Sequence, residues 1–394
     1  MTVLDFGCRL NLAEGYRIRA LGLPDDVTVI NSCAVTGEAV RQAMQAVRRV
    51  ARAQPDARIV VTGCAATLEP ARFAALPGVA RVVANDAKLA RAAYPDATAL
   101  SDATRRVPTA ERRHSRAFVA VQTGCDHACT FCIIHRARGP ARSEPVAAVI
   151  DRVRALVDAG IREVVLTGVD LTSFRPGLGA LVQRILHDAP ALPRLRLSSL
   201  DMVEIDDALL DAIADPRLMP QLHLSLQSGD AIILKRMARR HSPAAAVALC
   251  AALRARRPDL HLAADLIAGF PTETEAMFAA TLRHVADCGL SQLHVFPYSP
   301  RDGTPAARMP QLPVEVRRAR ARQLRALGAA RLDDAMRAQL GHRQRVLVEG
   351  DGTTGYTEHY LPARLPAGPR PASWARHRPA PPRWLRAGGR VGFF

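Results

Sequence analysis

Two periodicities alternate along the first ninety residues. Continuous apolar runs at 3–6, 27–30 and 58–62 predict buried strands, and apolar positions three or four apart predict helices over 12–21 and 38–53. Helical patterns at 70–75 and 87–93 flank a short strand at Val82 and Val83. Strand and helix in alternation predict an open parallel sheet. From 97 to 116 the pattern dissolves into Ser, Thr, Pro, Asp and Arg, the composition of a linker. A second series follows, with strands at 118–122, 163–167, 194–198, 221–226, 261–267 and 292–296. Six such units predict a partial or full barrel of parallel strands, with chemistry at the C-terminal strand ends. An arginine-rich helical stretch at 313–340 leads to a strand at 344–349. The expected organisation is an α/β chain: N-terminal domain 1–96, linker 97–116, barrel 117–312, helical connector 313–341, β segment 342–365 and tail 366–394.

Composition adds a partner. The longest apolar stretch, 244–253, is far short of the roughly 20 residues of a membrane span, and no signal segment opens the chain, so a cytoplasmic protein without membrane contact is expected. The net charge is +17, and Lys88 and Lys235 are the only lysines. A GC-rich gene explains arginine over lysine, but not so large an excess of cations over acids; arginine suits phosphate, and a nucleic-acid partner follows. Beyond Glu358 there is no acid, only arginine, proline and small residues with Trp374 and Trp384. Such a segment cannot bury enough apolar surface to fold, so disorder is expected over 366–394. Either a shifted reading frame or a basic arm would leave this composition.

Eight cysteines sharpen the chemistry. Cys125, Cys129 and Cys132 stand in GCDHACTFC on one loop, at a spacing that lets three thiolates hold three irons of a [4Fe-4S] cluster and leave the fourth open. The alternative is a zinc site completed by His127 or His135. Cys8, Cys33 and Cys64, in GCRLN, NSCAVT and TGCAA, each fall one to three residues beyond a predicted strand. Parallel strands bring such ends to one edge, so these three cysteines are expected to converge. Cys250 and Cys288 lie on helical patterns and read as core.

The loop triad, with Phe131 before its last cysteine, resembles the signature of the radical S-adenosylmethionine (SAM) superfamily. With the amino-terminal triad it resembles the methylthiotransferase family, which joins an auxiliary-cluster domain, a radical SAM barrel and a small RNA-binding β-barrel called TRAM. GCRLN, INSCAVT, VTGCA, LTGVD and HVFPYSPRDGTPAARM look most like the branch acting on threonylcarbamoyladenosine in tRNA. The isopentenyladenosine branch usually has Gln-Met after the first cysteine and the ribosomal-protein branch Pro-Lys; here the pair is Arg9-Leu10.

The resemblance implies a radical SAM barrel after an open parallel α/β domain, with an incomplete TRAM-like β segment. It implies two [4Fe-4S] clusters, one on Cys8, Cys33 and Cys64 and one on Cys125, Cys129 and Cys132, and SAM bound to the open iron. The expected reaction inserts sulfur and then a methyl group at carbon 2 of the adenine ring. The partners implied are the tRNA anticodon stem-loop, an electron donor such as flavodoxin or ferredoxin, and a sulfur donor. Phe131 would sit beside the adenine of SAM, and the segment that starts at Asp265 resembles a superfamily strand whose backbone meets that adenine, or else reads as a buried strand and turn; Gly168, Ser198 and Phe296 are placed there by barrel geometry, as SAM contacts or equally as packing or capping residues. Lys235, Arg236, Arg239 and Arg240 form a basic group suited to tRNA phosphates or to a solvated face. His135 stands where the family usually has proline.

Overall fold

The computed structural model describes residues 1–94, 115–349 and 352–365. Most of the expected linker and the whole expected tail lie outside the described residues. Among the described residues no helix is long and apolar enough to cross a membrane.

The amino-terminal unit is built from β1 (Thr2–Asp5), α1 (Arg9–Arg19), β2 (Val27–Ser32), α2 (Gly37–Ala53), β3 (Arg58–Gly63), α3 (Cys64–Leu68), α4 (Pro70–Ala74) and β4 (Val79–Val82). Its strands form one parallel sheet in the order β1-β2-β3-β4. The central β2 is buried along its whole length, which is why it reads as an unbroken apolar run. On α2, Val40, Ala43, Met44, Ala46 and Val47 form the buried stripe, and the Thr36 hydroxyl accepts from the Ala39 amide at 3.2 Å to cap the helix. Two expectations shift. The helix expected at 12–21 begins at Arg9, because Cys8 caps it in extended conformation. The helix expected at 87–93 is reduced to a single 3₁₀ turn at Arg91–Ala93, since Lys88 and Tyr94 are drawn into the core by polar contacts.

The second unit opens with β5 (Arg116–Ala120) and β6 (Gln122–Thr123), α5 (Ile134–Arg138) and β7 (Arg142–Ser143). The strand expected at 118–122 thus breaks at Val121: its last residues leave the barrel and pair antiparallel with β7, clamping the base of the cysteine loop. Next come α6 (Val146–Asp158), β8 (Glu163–Thr167), α7 (Leu178–Asp188), β9 (Arg194–Leu197), α8 (Asp207–Ala212), β10 (Gln221–Gln227), α9 (Ala231–Arg236), α10 (Pro243–Arg256), β11 (His261–Ala268), α11 (Glu275–Asp287), β12 (Gln292–Pro297) and α12 (Val314–Ala338). The parallel strands form two plates, β5-β8-β9 and β10-β11-β12, joined by isolated bridges at Leu195↔Leu218 and Leu200↔Leu224. Leu, Val and Ile side chains from the strands and their covering helices make one core, to which Cys250 and Cys288 belong.

Antiparallel strands β13 (Val346–Val348), β14 (Thr354–Thr357) and β15 (Pro362–Arg364) close the described chain. They sit under the barrel floor. Ser115 donates to the Val348 carbonyl at 2.6 Å, and Arg194 donates to that of Arg345 at 2.8 Å. Inside the floor, Glu163 is fully buried between Arg116 (2.5 Å) and Arg196 (3.2 Å), and both guanidinium groups lie over the Tyr360 ring. Burial opposes the Glu163 charge, but Arg196 and Arg116 outweigh it and lower its pKa to about 2.

Removing that carboxylate strands buried Arg196 and leaves Arg116 with Glu349 alone, at 2.9 Å, so Glu163→Gln is expected to lower stability by about 3–5 kcal/mol in denaturant titration. Because the folded value lies below the ordinary 4.5, the stabilisation from Glu163 is complete above that value and is lost as pH falls towards about 2. Acid titration of the variant should lack this component.

Candidate functional site

The loop carrying Cys125, Cys129 and Cys132 is set by its backbone. Gly124 has a φ of +76°, and a Cβ there would fall 1.9 Å from the Pro140 carbonyl oxygen, so the sharp entry to the loop requires glycine. The loop is then tied down at three points. Cys125 N–H donates to the Gly139 carbonyl (3.1 Å), Thr130 N–H to that of Met237 (3.1 Å), and the Thr130 hydroxyl to that of Arg236 (2.7 Å). Backbone amides point at the sulfurs: His127 N–H lies 3.4 Å from Cys125 Sγ and Ile134 N–H 3.4 Å from Cys132 Sγ. The His135 amide also reaches Cys132, a donor that a proline at this position would lack. Burial first, then Asp170 and the other two thiols, push the Cys125 thiol up to about 12 against the lowering effect of the His127 amide.

Cys8, Cys33 and Cys64 follow β1, β2 and β3 and meet at one edge of the sheet, as the strand-end positions predict. A Cβ on Gly7, whose φ is +88°, would stand 2.3 Å from Cys33 Sγ, so glycine lets the chain pass the sulfur. Burial pushes the Cys33 thiol up to about 12, and neighbouring Cys8 and Cys64 push in the same direction. Cys8 keeps an open face, while Cys33 and Cys64 are buried. Both triads offer three free soft thiols and no disulfide, the donor set of an iron–sulfur cluster. His127, a candidate fourth ligand for zinc, has its Nε2 between Asp170 (3.0 Å) and Glu204 (3.1 Å).

Arg138 lies between the triads. Its Nε donates to Cys64 Sγ at 3.1 Å, and its terminal nitrogens reach Glu14 (2.8 and 2.9 Å), Asn11 (2.7 Å) and Thr123 (3.1 Å). Lys88 approaches Glu14 from the other side at 2.6 Å. Burial opposes the Glu14 charge, but Lys88 and Arg138 together hold its carboxyl below the usual range.

The expected SAM contacts stand around the upper barrel. Phe131 packs against the cluster of Ile233, Met237, Ile267, Phe270 and Tyr298. Gly168 passes Gln122, whose Oε1 accepts the Val169 and Asp170 amides at 3.0 Å each; a Cβ on Gly168 would meet that oxygen at 2.8 Å. Ser198 is buried with a hydroxyl that has no partner among the described residues, and Phe296 is 37% exposed. The Asp265 carboxylate is taken by His223 at 2.9 Å and His294 at 3.6 Å. Burial opposes the Asp265 charge, yet the two imidazoles hold the carboxyl far below its ordinary range. His223 and His294 escaped the sequence reading, although each falls on an alternate position of a predicted strand.

The expected basic group resolves into internal partners. Arg239 pairs with buried Asp201 at 2.9 Å, Arg240 with Glu204 at 2.8 Å, and Arg236 donates to the Thr272 hydroxyl at 2.7 Å. Only Lys235 of the four makes no such contact among the described residues. Asp201 is buried and needs a cation, which draws Arg239 inward, while Lys235 and Arg240 stay on the exposed face.

Comparison with known proteins follows the same division of the chain. Residues 119–285 match the model of the radical SAM superfamily, and residues 1–85 match that of the uncharacterized protein family UPF0004. The threonylcarbamoyladenosine tRNA methylthiotransferase MtaB of Rickettsia prowazekii is 42% identical over 382 residues, covering 92% of this chain and 90% of its own. A tRNA-2-methylthio-N(6)-dimethylallyladenosine synthase of Cereibacter sphaeroides is 33% identical over 384 residues, covering 89% and 87%. Among solved structures, the radical SAM methyltransferase TsrM of Kitasatospora setae, with cobalamin and a [4Fe-4S] cluster bound, shares the fold. It does so with a TM-score of 0.55 and 15% identity over 75% of this chain and 68% of that one.

If each triad holds its own cluster, replacing Cys125, Cys129 and Cys132 by alanine is expected to remove about half the iron and abolish SAM cleavage, since the thiolates are the ligands. Replacing Cys8, Cys33 and Cys64 is expected to remove a similar share and leave cleavage. Iron analysis and detection of 5′-deoxyadenosine check both, and full iron in either variant would refute the assignment.

Proposed function

The chain belongs to the radical SAM tRNA methylthiotransferases, enzymes that use SAM and two [4Fe-4S] clusters, and from this premise we propose that it converts threonylcarbamoyladenosine beside the anticodon into its 2-methylthio derivative. The observation that carries the choice is the 42% identity to a threonylcarbamoyladenosine enzyme along nearly the whole of both chains, against 33% for the dimethylallyladenosine enzyme. When bound, the clusters and SAM supply radical chemistry at an unactivated aromatic carbon and the sulfur and methyl that replace its hydrogen. The protein's part is to hold, orient and keep water away. In this reading Cys125, Cys129 and Cys132 hold the SAM-binding cluster, and Cys8, Cys33 and Cys64 the auxiliary one. Phe131, Gly168, Ser198 and Phe296 line the SAM site. The reaction takes place in the cytoplasm, with a flavodoxin or ferredoxin giving electrons and a separate donor giving sulfur.

Charge supports the substrate. A threonylcarbamoyl group ends in a carboxylate, whereas an isopentenyl group is neutral and apolar. Arg9, the residue after the first cysteine, makes no ion pair among the described residues; its guanidinium lies 5.7 Å from the centre of the Tyr360 ring. The floor arginines Arg116 and Arg196 already share Glu163. Arg9 is thus the cation beside this ring that pairs with no carboxylate among the described residues, and it is assigned to the substrate carboxylate.

Nucleoside analysis of tRNA from a deletion strain tests the substrate: threonylcarbamoyladenosine should lose its methylthio group, and loss only from the isopentenyl nucleoside would transfer the protein to the neighbouring branch. Arg9→Gln removes one charge-assisted hydrogen bond, worth about 1.5–3 kcal/mol, so kcat/KM should fall roughly 10- to 100-fold with iron content unchanged. Binding of tRNA should weaken steeply with salt, as arginine–phosphate contacts release counterions.

A further inference from the structure

We propose that Arg138 is a positioning residue shared by the two cysteine sites: six residues after the last cysteine of one site, its guanidinium donates to the Cys64 sulfur of the other and sets how readily the cluster there is reduced. The inference rests on the reading that both triads hold clusters.

A guanidinium has five N–H donors in a fixed plane, and here five acceptor contacts use them: Cys64 from Nε, Glu14 and Thr123 from Nη1, and Glu14 and Asn11 from Nη2. The residue is 5% exposed, so it has neither solvent nor spare rotamers to turn towards. Its base is equally fixed. α5 packs on the amino-terminal core through Ile133, Ile134 and Ala137, and the Ala137 carbonyl accepts from Asn85 at 2.8 Å.

The three sulfurs of the amino-terminal site are treated unequally. Cys33 and Cys8 receive backbone amides, from Val35 at 3.4 Å and from Asn11 respectively, while Cys64 receives a charged donor at 3.1 Å. Hydrogen bonds to ligand sulfur tune the potential of an iron–sulfur cluster, and a charge-assisted one favours the more negative, reduced state. The charge of Arg138 is felt at Cys8 and Cys33 as well, but its directed N–H goes to Cys64 alone. Lysine offers a point charge without the fork and cannot hold Cys64, Glu14, Asn11 and Thr123 together.

The test is a redox titration of the reconstituted holoenzyme, followed by electron paramagnetic resonance, for the wild type, Arg138→Gln and Arg138→Lys. Both variants should lower the midpoint of the auxiliary cluster and leave the other cluster unmoved; a tenfold loss of preference for the reduced state is about 59 mV for one electron. Unmoved midpoints in an iron-replete Arg138→Gln protein would overturn the proposal while leaving the two-cluster reading intact. Iron for only one cluster in the wild type would sink both. Should the variants lose the auxiliary cluster, wild-type holoenzyme carrying ¹⁵N-guanidinium arginine decides the matter. A ¹⁵N coupling to the reduced auxiliary cluster supports the contact, and its absence overturns it.

Discussion

A buried charge cannot be left alone, and the architecture of this enzyme is organised around one set of them. Glu14 and Lys88 come from the amino-terminal unit and Arg138 from the barrel, and all three lie almost wholly out of water. Desolvation costs several kcal/mol per ion; Glu14 and Lys88 already pair within the amino-terminal unit at 2.6 Å, so Arg138 is the ion that would be left unmatched with the units apart. Docking completes the set. The half-exposed pair of Arg17 and Glu144, also between the units, adds little by comparison, because water and salt screen it. The sulfurs of the two cysteine sites therefore owe their closeness to the same contacts that make the units one body; across the junction Cys64 adds to the upward push that burial gives the Cys132 thiol.

Polar side chains inside the barrel fall into tiers. At the floor, arginines and Glu163 close over Tyr360. Above them His223, Asp265 and His294 form a second neutralised group, with ring centres of the histidines 4.5 Å apart. Higher still, Gln122, Asp170 and His127 face the cysteine loop. An interior so rich in fixed dipoles suits a chamber for a polar nucleobase better than a sealed core would.

Much of this was legible in the sequence. The cysteine spacing and the strand-end positions of Cys8, Cys33 and Cys64 gave both sites, because local order along a parallel sheet fixes which ends meet. The strands followed from their apolar runs. What escaped was long-range charge pairing: nothing local says that Arg239 will find Asp201, or that Asp265 will be shared by two imidazoles, since those partners come from different strands and loops. The missing helix at 87–93 failed for a similar reason, tertiary contacts to Lys88 and Tyr94 overriding a weak periodic signal.

The seam between the two plates carries a mechanical consequence. Within a plate, neighbouring strands are held by continuous ladders, whereas across the seam the backbone contacts are those between Leu195 and Arg217, Met219 and Leu195, Leu200 and His223, and Ser225 and Leu200. Rotating one plate against the other strains these few bonds and spares the rest. The chamber's wall is therefore two laddered plates whose width is held less by backbone bonds than by the apolar core that both plates share.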